Sequence, residues 1–314
     1  MRVTNSSRAL LHRVLLINME SKEFEYYIPL SGVSVENPFD IADGLTMVNW
    51  SNVRPSQQKT LFENHLKSVM ERNPSREHMP EAVIRTNATV SLFNELEFES
   101  LTNLCTLISG KSVVVLGKWK SAVDWSTNES HTGTENLDPN FNRDITDMEL
   151  KKATYEPIAI SPEDLISIYQ SFQKMHSKDK NKINLVMNRV SSSLRRNKTI
   201  DRIIDIGIAM ETLLMDGNKE LKYRCAIRAA IYCGGTSEER QSTFNLFKDT
   251  YDHRSKAVHE GEIEPSSETN VFRDYQIAER KLRQIVNKII KEGSIPDWEK
   301  LVLGSDSPTP PTYK

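Results

Sequence analysis

The sequence predicts an α+β chain: an N-terminal mixed α/β domain, residues 1–155, followed by an all-α helical bundle, residues 156–314. Three observations carry that expectation. Five segments of strand-like composition fall before residue 120, interleaved with helical periods. From Asp124 to Asp144 the periodicity disappears into a stretch rich in Asn, Thr and Ser, with Gly133 and Pro139, which reads as a loop or linker. Beyond it, apolar residues recur at three- and four-residue steps with no alternating pattern, as in helices joined by short turns.

In the first domain, Arg13–Met19, Phe24–Leu30, Leu45–Trp50, Arg85–Phe93 and Ser112–Trp119 are expected as strands, the fourth alternating through Thr86, Ala88, Val90 and Leu92. Pro55 to Glu71 reads as a helix with proline near its first turn and Leu61, Leu66 and Val69 on the helical period. Phe98–Ile108 is a second, stopped by Gly110. In the bundle, Ser161-Pro162-Glu163-Asp164 supplies a cap, a first-turn proline and early acids for a helix reaching about Met175. Ile183, Val186, Val190 and Leu194 continue the period. Thr199 can cap a segment carrying Ile203, Met210, Leu213 and Leu214, which ends at Asp216-Gly217. The helix from Glu220 to Cys233 stops at Gly234-Gly235. Thr236 and Glu239 form a capping-box pair opening the next helix, with Phe244, Phe247 and Tyr251 on one face. The last starts near Ser266 or Ser267 and ends at Gly293.

With 38% hydrophobic and 27% charged residues, the chain has the apolar material for packed cores and is not a disordered polymer. Its net charge of -2 gives no global attraction to nucleic acid or anionic membrane, so RNA binding would need a local patch. The stretch Lys180 to Ile231 holds 11 Lys/Arg against 5 Asp/Glu, either a solvated helix face or a phosphate-facing one. Cys105, Cys225 and Cys233 are odd in number and form no C-x-x-C. That suggests neither a disulfide framework nor a zinc site, fits a reducing compartment, and leaves Cys225 and Cys233 as core thiols. The apolar run Val14 to Ile17 is too short for a signal-peptide core and no segment approaches membrane-spanning length, so a soluble, cytoplasmic protein without membrane contact is expected. The tail Ser305–Thr312 is rich in Pro, Ser and Thr.

The segment with chemical potential is Tyr251-Asp252-His253-Arg254-Ser255-Lys256-Ala257-Val258-His259. On a helix, Arg254 and His259 stand about 7.5 Å apart along the axis and roughly 140° around it, so they do not stack on one face. The arginine stem can close part of that gap where the helix ends or meets a partner. Imidazole titrates near neutrality and can take a proton from a 2′-hydroxyl or return one to a leaving 5′-oxygen. Guanidinium stays charged and grips a phosphate through two hydrogen bonds. Spacing alone is unspecific, as the pair Arg72 and His78 in a proline-containing loop illustrates. No glycine-rich phosphate loop, H-E-x-x-H, G-x-S-x-G or paired-cysteine site competes, and His12, His65, His78, His131 and His176 are scattered without ligand spacing.

The surrounding residues resemble the HEPN superfamily, and more closely the helical domain of ApeA-like prokaryotic defence proteins. The resemblance rests on Ile206-Gly207-Ile208-Ala209-Met210-Glu211-Thr212-Leu213-Leu214, on Tyr223-Arg224 with Ala229-Ala230, on Tyr251 through Gly261, and on Ile295-Pro296-Asp297-Trp298. A fainter likeness covers Phe98-Glu99-Ser100-Leu101-Thr102-Asn103-Leu104 and Ile108-Ser109-Gly110-Lys111.

The resemblance implies a helical bundle that forms a homodimer with two R-x4-6-H motifs facing each other, cutting RNA without metal or cofactor to leave a 2′,3′-cyclic phosphate and a 5′-hydroxyl. Arg254 and His259 match the two defining positions, as phosphate binder and general acid/base. Ser255 matches the small polar residue after the arginine, and Tyr251 lies one turn before it. Glu211 matches an acidic residue of the preceding long helix, which either orients the arginine or caps a packed interface. Lys256 is a substrate contact or, like Asp252, a solvated charge. One departure is that relatives commonly have glycine directly after the histidine, whereas Glu260 intervenes here before Gly261. The implied biology is cleavage of cellular RNA, tRNA included, in anti-phage or stress defence. A phage-derived trigger or other regulatory partner belongs to it, with residues 1–155 either sensing the trigger or restraining the nuclease. The alternative is a HEPN scaffold that dimerises or binds RNA without cutting.

Overall fold

A computed structural model of the chain describes residues 24–71, 80–87, 95–122, 157–216, 220–264 and 266–304. It is α+β, a small antiparallel sheet followed by a mostly helical region. The elements in order are β1 (Phe24–Ser31), β2 (Val33–Ser34), β3 (Phe39–Ala42), β4 (Leu45–Val48), α1 (Gln57–Glu71), β5 (Ala82–Asn87), α2 (Glu95–Ser109), β6 (Val114–Val115), β7 (Trp119–Ala122) and β8 (Ile158–Ala159). They continue with α3 (Pro162–Lys174), α4 (Ser177–Arg195), α5 (Thr199–Leu214), α6 (Leu221–Cys233), α7 (Ser237–Glu260), α8 (Glu268–Glu292) and α9 (Trp298–Leu303). The expected strand at Arg13–Met19, the pair Arg72 and His78 and the linker at 124–144 lie outside the described residues.

The chain divides into two compact units, Met1–Asn94 with Val115–Pro157, and Glu95–Val114 with Ile158–Lys314. A single cut at residue 155 therefore does not separate them, because α2, expected in the N-terminal domain, belongs to the helical unit. Side chains give the reason. Leu101, Leu104 and Cys105 are fully buried, and polar residues of α2 are tied to α4. Asn184 donates to Ser100 Oγ (2.7 Å), Asn103 to Asn188 Oδ1 (2.8 Å) and Asn188 to Glu99 Oε1 (2.6 Å). Hydrophobic periodicity reports that a helix has a buried face but not which neighbour covers it.

In the sheet unit the strand order is β3-β4-β5-β1, with β6 and β7 both along the far side of β1. The central pair runs from Glu25 opposite Asn87 to Leu30 opposite Ala82. The strand expected from Arg85 begins three residues earlier, at Ala82, and the one expected at Ser112–Trp119 is two short strands. β4 stops at Val48 because Asn49 turns its side chain onto the next residues, accepting from Ser51 N (2.9 Å) and Ser51 Oγ (2.8 Å), and starts a 3-10 turn at Trp50–Asn52. The β3–β4 hairpin, absent from the sequence reading, closes through Asp43-Gly44 with Gly44 at φ 70° and a register shift between Asp40 and Ala42. That is the geometry of a turn followed by a glycine bulge. α1 lays Phe62 and Leu66 on the sheet, whereas Leu61, expected in the core, is 44% exposed. The core is aromatic: Trp119 stacks on Tyr27 (ring centroids 5.6 Å) and meets Phe62 (5.5 Å) and Trp50 (6.0 Å).

The helical unit keeps most of its expected ends, since caps are local chemistry. Ser161 caps α3 by accepting from Asp164 N, the Thr236–Glu239 box opens α7, and Gly234, Gly261 and Gly293 end α6, α7 and α8 at positive φ. α5 differs by one residue: Lys198 stands at its N-cap without a side-chain bond, and Thr199 donates to Glu268 Oε1 instead. Tyr275, Phe172, Phe247, Met187, Met210 and Leu282 fill the core, and Cys225 lies there too, whereas Cys233 is only partly buried. α9 closes the end, with Trp298 buried and its Nε1 donating to Leu213 O (3.1 Å).

The α5–α6 connection is held by Arg228, 3% exposed, which donates to Leu214 O and to both carboxylate oxygens of Asp216. The Arg228 hydrogen bond holds the Asp216 carboxyl below its ordinary 3.8. A carboxyl with a lowered folded-state pKa stabilises fully above its unfolded value and loses that contribution as pH falls through the lowered one. Between pH 7 and pH 3 the melting temperature of wild type should therefore drop by more than that of Asp216→Asn, which cannot titrate. Equal drops in parallel thermal melts would contradict this.

Candidate active site

Arg254 and His259 both lie on α7, whose helical hydrogen bonding runs unbroken through Glu260 until Gly261 (φ 75°) ends it, its N–H donating to Ala257 O. The five-residue spacing is thus realised in regular helix, and the offset of roughly 140° stands. The two side chains meet different surroundings. Arg254 points across α5: Nη2 donates to Glu211 Oε2 at 3.0 Å, both side chains being 23% exposed. His259 is exposed in the last turn and makes no hydrogen bond or ion pair with a described residue.

The arginine is seated by a residue the sequence reading quoted without a role. An ideal Cβ on Gly207 would stand 2.3 Å from Arg254 Cγ and 2.9 Å from Arg254 Cβ. Glycine there lets the stem lie flat against α5, and Glu211, one turn along the same face, receives the guanidinium. The signal was present, since a glycine inside a helical pattern costs about 1 kcal/mol relative to alanine and asks for a packing reason.

Tyr251 completes the cluster. The Arg254 Cζ lies 6.0 Å from its ring centroid. Burial, followed by the charge of Glu211 and a hydrogen bond to it, pushes the Tyr251 phenol above its ordinary value, so it stays protonated and donates to the carboxylate. Glu211 therefore orients the arginine and accepts from the tyrosine. Arg254 Nε–H is buried without a hydrogen-bond partner, leaving donor capacity on a cation held in place. The guanidinium is 23% exposed and permanently charged, so an anion that reaches it meets a cation already held in place.

The other expected members are not drawn into this cluster. Ser255 is half-buried beside Arg254, and Lys256 is exposed. Asp252 pairs with Lys222 at 2.6 Å, and His253 turns to α8, where its Nε2 lies 3.3 Å from Asp274 Oδ2. Five arginines of the basic stretch from Lys180 to Ile231 are engaged within the fold. Arg189 and Arg196 bond the buried Asp205, Arg224 and Arg228 bond Asp216, and Arg202 lies over the rings of Phe272 and Tyr275. These carboxylates and rings engage five of the stretch's eleven cations, a placement that composition alone could not locate.

Among the described residues no group of three or more His, Cys, Asp or Glu side chains is placed to hold a metal ion. No helix among them is long and apolar enough to cross a membrane. Comparison of the chain with family models, curated proteins and solved structures returned no match.

Proposed function

We propose that the chain is a metal-independent, HEPN-type endoribonuclease of the cytoplasm, acting as a homodimer on cellular RNA, tRNA included, in anti-phage or stress defence. The observation that carries this reading is the division of labour along α7, a guanidinium seated between Gly207 and Glu211 and an imidazole left open to solvent five residues on. The chemistry needs those two groups at one phosphodiester. The RNA 2′-oxygen attacks the adjacent phosphorus, giving its proton to an imidazole. The bond from phosphorus to the 5′-oxygen breaks, and that oxygen takes a proton from an imidazolium. Arg254 carries the charge gathering on the non-bridging oxygens. Because the side chains diverge on one helix, they converge only in a groove shared by two copies, where each copy brings one arginine and one histidine.

A second reading has its own support. Glu211 already occupies part of the Arg254 fork, and His259 has no partner among the described residues to fix its tautomer, as suits a scaffold that binds RNA without cutting it. Product chemistry separates the two. Incubated with total RNA in EDTA, the purified chain should yield fragments ending in 2′,3′-cyclic phosphate and 5′-hydroxyl. Intact RNA that is nonetheless retained by the protein would establish the scaffold instead.

A further inference from the structure

Beside the arginine cluster lies an open cleft of about 660 Å³, lined by Glu220, Leu221, Lys222, Tyr223, Lys248 and Tyr251. We infer that this cleft is a subsite for one nucleotide of single-stranded RNA flanking the scissile bond, with Tyr223 as the stacking platform and Lys248 as the phosphate contact. The choice of RNA as ligand rests on the ribonuclease reading.

Three features select a nucleotide over other anions. First, Tyr223 is 56% exposed although it is a large aromatic, and its ring stands edge-on against Phe244 at 5.5 Å, so a neighbour braces it while much of it stays open. A braced, open ring is what a base stacks on. Second, Phe244, Lys248 and Tyr251 follow at four- and three-residue steps, on one face of α7. Lys248 is half-buried and, unlike Lys222 with its Asp252, has no carboxylate partner among the described residues. A lysine whose stem is half-buried and whose charge has no carboxylate partner among the described residues can take an anion. Third, Glu220 brings an acceptor to the same cleft, matched to the exocyclic amino edge of a base. Ring, ammonium and carboxylate together complement the face, phosphate and edge of a nucleotide, and the volume suits a ligand of that size. Tyr251 joins this cleft to the Arg254–Glu211 pair, so a nucleotide seated there places its neighbouring phosphate towards the guanidinium.

The test is fluorescence anisotropy of the full chain with a labelled, uncleavable 2′-O-methyl oligocytidine decamer at fixed salt. Tyr223→Leu should weaken binding about five- to one-hundredfold, while Tyr223→Phe, which keeps the ring, should bind like wild type. Lys248→Gln should weaken binding and reduce the slope of log K against log salt by about 0.7, the loss of one single-strand phosphate contact. Absence of binding by wild type, or wild-type affinity in both Tyr223→Leu and Lys248→Gln, would overturn the assignment. Failure of the nuclease reading looks different: Tyr223-dependent binding persists while no RNA is cut. Conversely, RNA cut by a chain that binds the decamer independently of Tyr223 and Lys248 leaves the nuclease and removes the subsite.

Discussion

Replacing His259 by alanine should lower the single-turnover rate of RNA cleavage by about 10²–10⁴-fold, the usual contribution of a positioned acid or base. The imidazole is exposed and makes no hydrogen bond or ion pair with a described residue, so the melting temperature should stay within about a degree or two, as for surface substitutions generally. Arg254→Ala should lower the rate by about 10²–10³-fold, as the loss of one preorganised charge does. It should also destabilise modestly, because Glu211 is left as a half-buried carboxylate with only Tyr251 to satisfy it. Arg254→Lys keeps the charge but not the fork, and should recover only part of the rate. The divergence of the two side chains adds a sharper expectation. Mixing the two inactive alanine variants should restore activity through mixed dimers in which one chain supplies the arginine and the other the histidine. Cleavage by His259→Ala at the wild-type rate would remove the assignment, and no restoration on mixing would place both groups of each site on one chain.

The second large effect is expected at a residue that contacts no substrate. Gly207→Ala inserts a methyl group 2.3 Å from Arg254 Cγ and 2.9 Å from Arg254 Cβ; a χ1 rotation can move the first atom, but the second is fixed to the α7 backbone. Alanine improves helix propensity by about 1 kcal/mol, but overpacking of this kind costs about 1–3 kcal/mol, so the packing term wins. The arginine must leave Glu211 or α5 and α7 must separate. Either way, cleavage should fall by about tenfold or more, the cost of displacing a group by an ångström. The signature is coupling: Gly207→Ala/Arg254→Ala loses the 2.3 Å clash with Cγ and keeps only the 2.9 Å one with Cβ, so it should melt higher than the sum of the two single effects predicts. Additive melting temperatures across that double-mutant cycle would show that the glycine serves some other purpose.

The parts of this molecule that sequence made legible are those written in neighbouring residues. Ser161 caps α3, Thr236 and Glu239 close on each other, and Gly293 stops α8, because each decision is settled within a turn of helix. The strand pattern was less legible. Asn49 ends β4 with a local side-chain bond that hydropathy ignores, and the buried residue at the start of α1 is Phe62, not Leu61. Membership of α2 in the helical unit was illegible, since Asn184 and Asn188 of α4 lie more than eighty positions from the side chains they bond. The same holds at the site: Arg254 and His259 stood out through spacing and residue type. That Glu211 holds the arginine, 43 positions away in the chain, and that Gly207 makes room for it emerge only when α5 and α7 are packed.

The place of α2 also constrains how the protein is made. On a ribosome this helix emerges before the rest of its unit, and Arg283 of α8, which donates to Leu107 O, is synthesised 174 residues after Ser109. At ordinary elongation speeds that interval lasts on the order of ten to thirty seconds. α3 and α4, which pack on α2, arrive well before that, so the stripe of Leu101, Leu104 and Cys105 is covered in stages and α8 only completes it. The helical unit therefore closes only after α8 has been made.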